Sequence, residues 1–388
     1  MLIILAVIMA ASVMDAAGGI DYLVRVAESI IRANPKYVTI VAPLTTWSFT
    51  FVAGTGHIVY PLLPVIYETA HQNGIRPERP MAIATIASQQ AITASPVAAA
   101  TAAMIGLFAE KGMSQWGLPQ ILMICVPATL TGVVAAAIVS MFVGKDLRDD
   151  AEYQARLQAG LIPVPQTAAE RPPLKPAAKL SAFLFLAGVA LVVLFGFFPE
   201  LRQLPGAKGP LGMPVVIEIV MMAVAAIMLM LTRVNVDEVP KTATLRAGVV
   251  AVIGIFGLAW LGDSFIAAHK DVIVPAIGHW AETAPWTFAF GLFFASVLLY
   301  SQAATTRALM PLGIALGIPP QFLIAMFPSV NGYFFIPTYG SLIAAINFDL
   351  SGTTKIGKYV LNHSFMIPGL VATSVAVTSG LLLARLMF

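Results

Sequence analysis

Two long apolar runs, residues 38–66 and 286–318, are each interrupted midway by small and hydroxyl-bearing residues. The first interruption, 53–57, reads Ala-Gly-Thr-Gly-His, and the second, 301–307, reads Ser-Gln-Ala-Ala-Thr-Thr-Arg. Backbone that leaves helical geometry at membrane depth is tolerated only where protein or a wet cavity surrounds it. Because one interruption lies in each half of the chain, the pair indicates the substrate site of a secondary transporter.

Composition supports a chain that is embedded in a membrane. Of its 388 residues, 59% are hydrophobic and 11% are charged, whereas soluble domains contain about 25% charged residues. The net charge of +3 is too small and too scattered to indicate a nucleic-acid partner. Cys125 is the only cysteine, and the five His residues do not pair at metal-ligand spacing. The sequence therefore predicts no metal site, no cofactor and no enzymatic activity.

The remaining apolar segments predict the membrane spans. Full spans are expected near residues 81–108, 118–143, 181–199, 213–231, 245–266, 322–348 and 361–386. Residues 1–14 are apolar, but about 21 Å of helix is too short for roughly 30 Å of hydrocarbon, so we expect a span without its start or a segment packed against other helices. Residues 20–37 are expected to be a polar linker. The basic, proline-containing stretch 144–180 is expected to be a cytoplasmic linker between two repeats, 1–143 and 181–388.

The run 38–66 is either one long tilted span or a re-entrant hairpin, and the distribution of Lys and Arg distinguishes the two. As a hairpin, it leaves almost all basic residues of the first half on one side, with only Lys111 opposite. We therefore predict a re-entrant hairpin at 38–66 and a second one, entering from the opposite face, at 286–318. The C-terminus is then predicted to lie in the periplasm.

Each predicted hairpin is followed by a span that is itself interrupted, at 88–96 in the first half and at 335–341 in the second. The predicted fold is therefore an all-α membrane protein with an inverted-topology repeat, two re-entrant hairpins and interrupted helices. The pattern Ser-Gln-x-Ala-x-Thr recurs at 88–93 and 301–306. Because the order of elements pairs those two segments with different partners, we treat that recurrence as coincidence.

The predicted substrate site lies where these interruptions meet. Helix ends expose N–H groups without intrahelical partners, and the N-terminal dipole favours anions. Glycine lets a backbone approach a ligand closely, and hydroxyls supply adaptable donors. The candidate substrate-binding residues are Gly54, Thr55, Gly56, Thr93, Ser95, Ser301, Gln302, Thr305, Thr306, Arg307 and Thr338, with Tyr339 completing the polar cavity. The alternative for any single Ser or Thr is close packing of membrane helices without a ligand.

Three ionisable residues near these segments are candidates for charge recognition. Arg307 is expected to neutralise a substrate carboxylate, because a cation at the helix centre costs about 2.5–3.5 kcal/mol and needs a cavity or a partner. Its alternative is a side chain that extends to the outer interface. Asp263 and His57 are candidates for ion coupling. Their alternatives are a solvated helix end for Asp263 and a hydrogen bond to backbone for His57.

Several short stretches together resemble one family, the anaerobic C4-dicarboxylate transporters of bacteria of the Dcu A and Dcu B type. They extend over nearly the whole chain. These stretches are 18–24 (Gly-Gly-Ile-Asp-Tyr-Leu-Val), 34–37 (Asn-Pro-Lys-Tyr), 53–56 (Ala-Gly-Thr-Gly), 91–96 (Ala-Ile-Thr-Ala-Ser-Pro), 259–263 (Ala-Trp-Leu-Gly-Asp), 298–305 (Leu-Leu-Tyr-Ser-Gln-Ala-Ala-Thr) and 351–358 (Ser-Gly-Thr-Thr-Lys-Ile-Gly-Lys).

The resemblance implies a carrier of the bacterial cytoplasmic (inner) membrane that exchanges or imports fumarate, malate, succinate and aspartate, typically in anaerobic respiration. It also implies the ion-transporter superfamily fold, a homodimer and, for some members, a membrane sensor kinase as partner. Members of this family carry one or two more apolar segments before the point where this chain begins. We therefore expect a start upstream or a shortened form.

Three other functions stay open at this point. The first is a carrier for another organic anion or an amino acid. The second is an intramembrane enzyme, although the chain has neither paired aspartates nor a His-Glu-x-x-His helix. The third is a receptor or assembly protein, such as a transporter-derived sensor partner, that uses residues 349–358 as a cytoplasmic contact.

Overall fold

A computed structural model of the protein describes residues 2–162, 173–206, 209–246, several positions between 248 and 269, and 283–388. These residues form α-helices joined by short 3-10 turns and loops. In the first half the helices are α1 (Leu2–Ala16), α2 (Gly19–Ala33), α3 (Val38–Ala53), α4 (Val59–Gln72), α5 (Glu78–Gln90), α6 (Ala99–Glu110) and α7 (Leu118–Ser140). They continue with α8 (Ala151–Gln158), α9 (Ala178–Phe197), α10 (Met213–Thr232), α11 (Phe288–Leu299), α12 (Gln302–Ala315), α13 (Pro320–Met326), α14 (Gly340–Phe348) and α15 (Met366–Met387).

Among the described residues, four helices are long and apolar enough to cross a membrane, namely α7, α9, α10 and α15. They agree within a few residues with the spans expected at 118–143, 181–199, 213–231 and 361–386. The span expected at 245–266 is described only in part, and Asp263 lies outside the described residues.

The expectation of a polar linker at 20–37 is wrong, because most of that segment is the helix α2. It is bent by 75° from α1 at Gly18, whose φ of +84° is left-handed. One face of α2 is apolar and buried, whereas the other carries charged residues. Because of these charges, the segment does not appear as an apolar run in the sequence. The buried residues of that face are Leu23, Val24, Ala27 and Ile31. On the charged face, Arg32 pairs with Glu68 of α4 at 2.6 Å.

Both apolar runs that opened the sequence analysis are broken helices. The run 38–66 forms α3 and α4 with residues 54–58 between them, and the run 286–318 forms α11 and α12 with two residues between them. In each half, this broken run is followed along the chain by another interrupted element. Residues 91–98 separate α5 from α6, and residues 335–339 separate α14 from α13 and its 3-10 extension Phe327–Phe334.

Each half therefore contains the same order of elements: helix, break, helix, interrupted span and long final helix. The final helices, α7 and α15, pack against each other at close range. A Cβ added to Gly132 of α7 would lie 2.3 Å from the carbonyl oxygen of Ala372 in α15. On another side of α15, a Cβ at Gly380 would lie 2.9 Å from the carbonyl oxygen of Ala325. Small residues thus let these backbones approach, as is typical of helix contacts in membranes.

The expected linker 144–180 contains an ordered segment around α8. The Asp150 carboxylate accepts hydrogen bonds from the backbone N–H groups of Glu152 and Tyr153 and caps this helix. It also forms an ion pair with Arg76 in the loop between α4 and α5. Although burial opposes ionisation, the hydrogen bonds from Arg76 and these N–H groups hold the pKa of Asp150 below its ordinary value.

Candidate functional site

A cavity of about 460 Å³ lies where the break between α3 and α4 meets the break between α11 and α12. Its wall contains residues 53–57 from the first break and 299–304 from the second. The first interrupted span adds Gln89, Ile92 and Val97, and residues of α1 close another side. The structure therefore brings the two predicted interruptions together at one cavity.

The two breaks have the same local geometry. Helix α3 ends at Gly54, which is left-handed with φ +71°, and α11 ends at Tyr300, which is left-handed with φ +50°. The next residue is extended in both cases, and its hydroxyl caps the following turn. Thr55 Oγ1 accepts from the backbone N–H of His57 at 3.3 Å, and Ser301 Oγ accepts from that of Ala304 at 3.2 Å.

This equivalence aligns Gly54 with Tyr300 and Thr55 with Ser301. After Ser301 the helix α12 begins directly, whereas after Thr55 a 3-10 turn, residues 56–58, leads without a gap into α4. The first N–H groups of a helical segment lack acceptors within it and carry partial positive charge, and both of these segments start at the wall of the same cavity.

The two glycines of the first break serve close packing within the protein. A Cβ on Gly54 would lie 2.6 Å from the carbonyl oxygen of Val97, which belongs to the interruption of the first span. A Cβ on Gly56 would lie 2.3 Å from the Gln89 side-chain nitrogen. From the sequence alone, these glycines are predicted to let a ligand approach the backbone. The structure shows that they also let the break rest directly on the interrupted span.

Buried amide side chains connect the second break to the rest of the site. Gln302 Nε2 donates to Gln89 Oε1 at 3.1 Å and to Asn331 Oδ1 at 3.2 Å. Asn331 Nδ2 donates to Gln90 Oε1 at 3.3 Å, and Gln90 Nε2 donates to Thr373 Oγ1 at 2.8 Å. We call these five residues the amide network. It joins the second break, both interrupted spans and the final helix α15.

Three tyrosines also face the cavity, namely Tyr60, Tyr300 and Tyr339. The Tyr300 hydroxyl lies 2.5 Å from Thr338 Oγ1, and the ring of Tyr300 stacks on that of Tyr339 at 6.4 Å between centroids. Thr338, a predicted site residue, therefore contacts the site through Tyr300 and does not itself line the cavity.

His57 lines the cavity and stacks on Tyr60 at 5.9 Å between ring centroids. Its Nδ1 lies 3.0 Å from Thr55 Oγ1. The alternative considered from sequence was a histidine held by backbone. In the structure the imidazole ring of His57 instead contacts the side-chain hydroxyl of Thr55 at the first break.

Four other predicted residues lie outside the cavity wall and make local hydrogen bonds. They are Thr93, Ser95, Thr305 and Thr306, and all are buried. The three threonine hydroxyls donate to backbone carbonyls three or four residues earlier, and Ser95 Oγ accepts from the N–H of Val97. This arrangement matches the alternative reading, in which hydroxyl residues pack and cap membrane helices without a ligand.

Arg307 also lies outside the cavity wall. Its guanidinium donates to Glu110 Oε2 at 3.0 Å and so joins α12 to the end of α6. Its side chain is only 11% exposed. The charge of Arg307 therefore has a carboxylate partner within the protein, and its predicted role toward a substrate carboxylate stays a prediction.

Comparison with known proteins identifies the family. Residues 1–388 match the family model described as anaerobic C4-dicarboxylate membrane transporter, DcuA_DcuB. The chain belongs to this family. It is 38% identical to the anaerobic C4-dicarboxylate transporter DcuB of Shigella flexneri, over 100% of this chain and 88% of the relative. It is 40% identical to the C4-dicarboxylate transporter DcuA of Wolinella succinogenes, with the same coverage.

A third relative, the C4-dicarboxylate transporter DcuA of Escherichia coli strain K12, is 41% identical over 99% of this chain and 88% of its own length. No solved structure matches the chain. The resemblance stated from short motifs is therefore confirmed, and the protein is an integral membrane member of the DcuA_DcuB family.

Gln89, Gln90 and Asn331 of the amide network are not among the site residues predicted from the sequence. One signal for the first of them was present. Gln89 and Gln302 are the second residues of the recurring pattern Ser-Gln-x-Ala-x-Thr, which was treated as coincidence. Their segments do belong to different elements, yet the two amides are hydrogen-bonded across the site.

Substitutions at Arg307 and Glu110 distinguish a structural role of the arginine from a role in binding substrate. If the pair is structural, Arg307→Gln and Glu110→Gln should lower fumarate uptake by similar, modest factors. Each should lower stability by about 1 kcal/mol or less, because Glu110 is half-exposed. Uptake by proteoliposomes and melting in detergent measure both quantities. Loss of uptake in Arg307→Gln with normal uptake in Glu110→Gln would instead make Arg307 a substrate ligand.

Proposed function

We propose that the protein is a secondary transporter of C4-dicarboxylates such as fumarate, malate, succinate and aspartate, acting by exchange or ion-coupled uptake in the bacterial inner membrane. The observation that carries this proposal is the single cavity onto which both hydroxyl-capped breaks open. Membership of the DcuA_DcuB family and relatives named as C4-dicarboxylate transporters support it.

The cavity has the size and the charge pattern that a small dianion requires. Its volume of about 460 Å³ lies within the range of small-molecule sites, roughly 300–1,000 Å³. None of the described residues that line it is Lys or Arg. Attraction for an anion therefore comes from helix N-termini and from neutral donors. In this proposal each carboxylate of the substrate meets one break, through Thr55 and Gly56 or through Ser301 and the backbone N–H of Gln302.

Counterflow into proteoliposomes tests the substrate class. Vesicles loaded with unlabelled fumarate should accumulate labelled fumarate, and external succinate, malate or aspartate should compete. Citrate and lactate should compete at least about tenfold less well, because citrate carries a third carboxylate on a larger skeleton and lactate has only one carboxylate. Protein-free vesicles are the control. A preference for lactate would contradict the proposal and favour a carrier for another organic anion.

We also propose that each broken run is a re-entrant hairpin and that the two enter from opposite faces, with 144–180 in the cytoplasm and the C-terminus in the periplasm. The shared order of elements in the two halves supports this inverted repeat. Cys125 is buried, so its replacement by Ala gives a background for labelling with single cysteines. A hairpin places cysteines at Tyr37 and Asn73 on the same face of the membrane. Labelling from opposite faces would show that 38–66 is one span.

Two further features remain proposals about this same transporter. His57 lies at the cavity and is a candidate for ion coupling, together with Asp263, which is outside the described residues. A homodimer and a sensor-kinase partner follow only from the family resemblance. Mass measurement in nanodiscs tests the dimer, since a monomer mass at all concentrations would contradict it.

A further inference from the structure

We infer that Gln89 is a substrate-binding residue that presents only hydrogen-bond donors to the cavity, because Gln302 holds its amide in one orientation. This inference rests on the proposed function, since it names the residue that receives a substrate carboxylate. Gln89 lies in the wall of the cavity, although its side chain belongs to α5 and only 3% of its surface is exposed.

The orientation of these amide side chains follows from one backbone carbonyl, which can accept a hydrogen bond but cannot donate one. Asn331 Nδ2 lies 3.0 Å from the backbone carbonyl of Pro328. A carbonyl oxygen only accepts, so the Asn331 nitrogen must face it. Asn331 Oδ1 then faces Gln302, and Gln302 must turn its Nε2 toward Asn331.

The same nitrogen of Gln302 has a second N–H, which points at Gln89 and requires an oxygen there. Gln89 therefore turns Oε1 toward Gln302 and Nε2 away from it. The first break lies nearer to the nitrogen, since a Cβ on Gly56 would come within 2.3 Å of Gln89 Nε2 and 3.1 Å of its Oε1. Glycine at this position leaves the Gln89 nitrogen beside the cavity.

Three amides of the network, those of Asn331, Gln302 and Gln89, thus propagate one direction of donation from the Pro328 carbonyl to the cavity wall. Among the residues that the structure describes, no acceptor is hydrogen-bonded to Gln89 Nε2. A donor held in place without a protein acceptor is suited to a carboxylate oxygen, which only accepts when ionised. The 3-10 turn that follows Thr55, residues 56–58, borders the same cavity.

Gln90 provides a matched control at the next position of the same helix. Its side chain is also an amide and is 1% exposed, but it does not line the cavity and lies outside the series of bonds that orients Gln89. Gln90 Oε1 accepts from Asn331 and its Nε2 donates to Thr373, and a glutamate at this position can still accept from Asn331. Gln89→Glu and Gln90→Glu each add one carboxylate of the original shape. In the first variant Gln302 can still donate to the new carboxylate, while the edge toward the cavity becomes an acceptor.

The experiment measures KM and maximal rate for fumarate counterflow by wild type and both variants in proteoliposomes. Gln89→Glu should raise KM by about tenfold or more, which is the effect of losing one hydrogen bond to a charged group. Its maximal rate should stay within about threefold, and Gln90→Glu should change KM by no more than about twofold. Equal rises of KM in both variants, or no rise in Gln89→Glu, would overturn the inference.

A second variant covers the case in which Gln89→Glu does not reach the membrane. Gln89→Met has a side chain of similar length, adds no charge and lacks the N–H donor. Its KM for fumarate is compared with that of Gln90→Met, and the same outcomes support or overturn the inference. If wild-type protein fails to exchange fumarate, the proposed function fails and the inference fails with it. If wild type exchanges fumarate and the Gln89 variants keep its KM, the inference alone is wrong.

Discussion

Gly54→Ala is expected to abolish fumarate uptake, while Gly74→Ala leaves uptake close to that of wild type. Both glycines are left-handed, with φ of +71° and +69°. Alanine in this conformation costs about 1–2 kcal/mol at either position. The two sites differ in their surroundings. A Cβ at Gly54 would lie 2.6 Å from the carbonyl oxygen and 2.9 Å from the carbonyl carbon of Val97, whereas nothing lies within 4 Å at Gly74.

The neighbour of Gly54 is backbone, so the clash cannot be relieved by rotation of a side chain. The break between α3 and α4 must instead move away from the interruption 91–98, and the wall of the cavity changes with it. We expect uptake by Gly54→Ala to fall below about 5% of wild type with protein still in the membrane, since overpacking typically costs about 1–3 kcal/mol. Counterflow at matched protein levels measures this.

Gly74→Ala controls for the backbone conformation alone. It lies in the loop between α4 and α5 and should change the melting temperature without changing the KM for fumarate. Similar losses of uptake in the two variants would mean that the left-handed conformation matters and the contact with Val97 does not.

The breaks could be predicted from sequence because small and hydroxyl residues interrupt runs that are otherwise apolar. A helix at membrane depth has no solvent to satisfy freed backbone groups, so glycine and hydroxyl residues inside an apolar run indicate a break. The structure places such breaks between α3 and α4 and between α11 and α12. That the cap at each break is a hydroxyl residue, Thr55 or Ser301, was also within reach of the pattern.

The same rule could not tell which hydroxyls face the cavity. Thr305 and Thr306 follow the second break by one turn, yet both donate to carbonyls of their own helix. A hydroxyl in a helix can donate to a carbonyl of its own helix, so the presence of Ser or Thr does not tell which way the side chain points. Ser301 differs because it is the capping residue, and its position at the break, and not its type, brings it to the cavity.

Long-range side-chain contacts were the other part that sequence could not supply. Gln89 and Gln302 are 213 residues apart and belong to elements with different places in the two halves of the chain. An amide in a membrane helix indicates a polar neighbour, but it does not say which one. Helix α2 was missed for a related reason, since its charges find partners such as Glu68 on another helix.

The two breaks also differ at one aligned position, where the first half has Gly54 and the second has Tyr300. A tyrosine with φ of +50° is strained, at a cost of about 1–3 kcal/mol, and such strain persists where the surroundings determine it. Here the surroundings are the hydrogen bond to Thr338 and the stack on Tyr339. The second break is therefore held by side chains, while the first is held by contact of its backbone with Val97.

Gly132→Ala is expected to lower the melting temperature in detergent by several degrees and to reduce uptake in proportion to the folded protein that remains. Its Cβ would lie 2.3 Å from the carbonyl oxygen of Ala372 and 3.1 Å from the Cβ of Ala376. Helices α7 and α15 would have to separate along their shared contact. Overpacking of this kind costs about 1–3 kcal/mol, and a change of 1 kcal/mol shifts melting by roughly 2–4 °C.

Gly291→Ala is the matched control, because Gly291 lies within α11 and has nothing within 4 Å of the added Cβ. Alanine there should stabilise the helix by about 0.5–1 kcal/mol, so its melting temperature should stay the same or rise. Equal melting temperatures for Gly132→Ala and wild type would mean that α7 and α15 tolerate separation. Since these helices close the two halves of the chain, a loss of stability in Gly132→Ala would show that the halves depend on each other for stability.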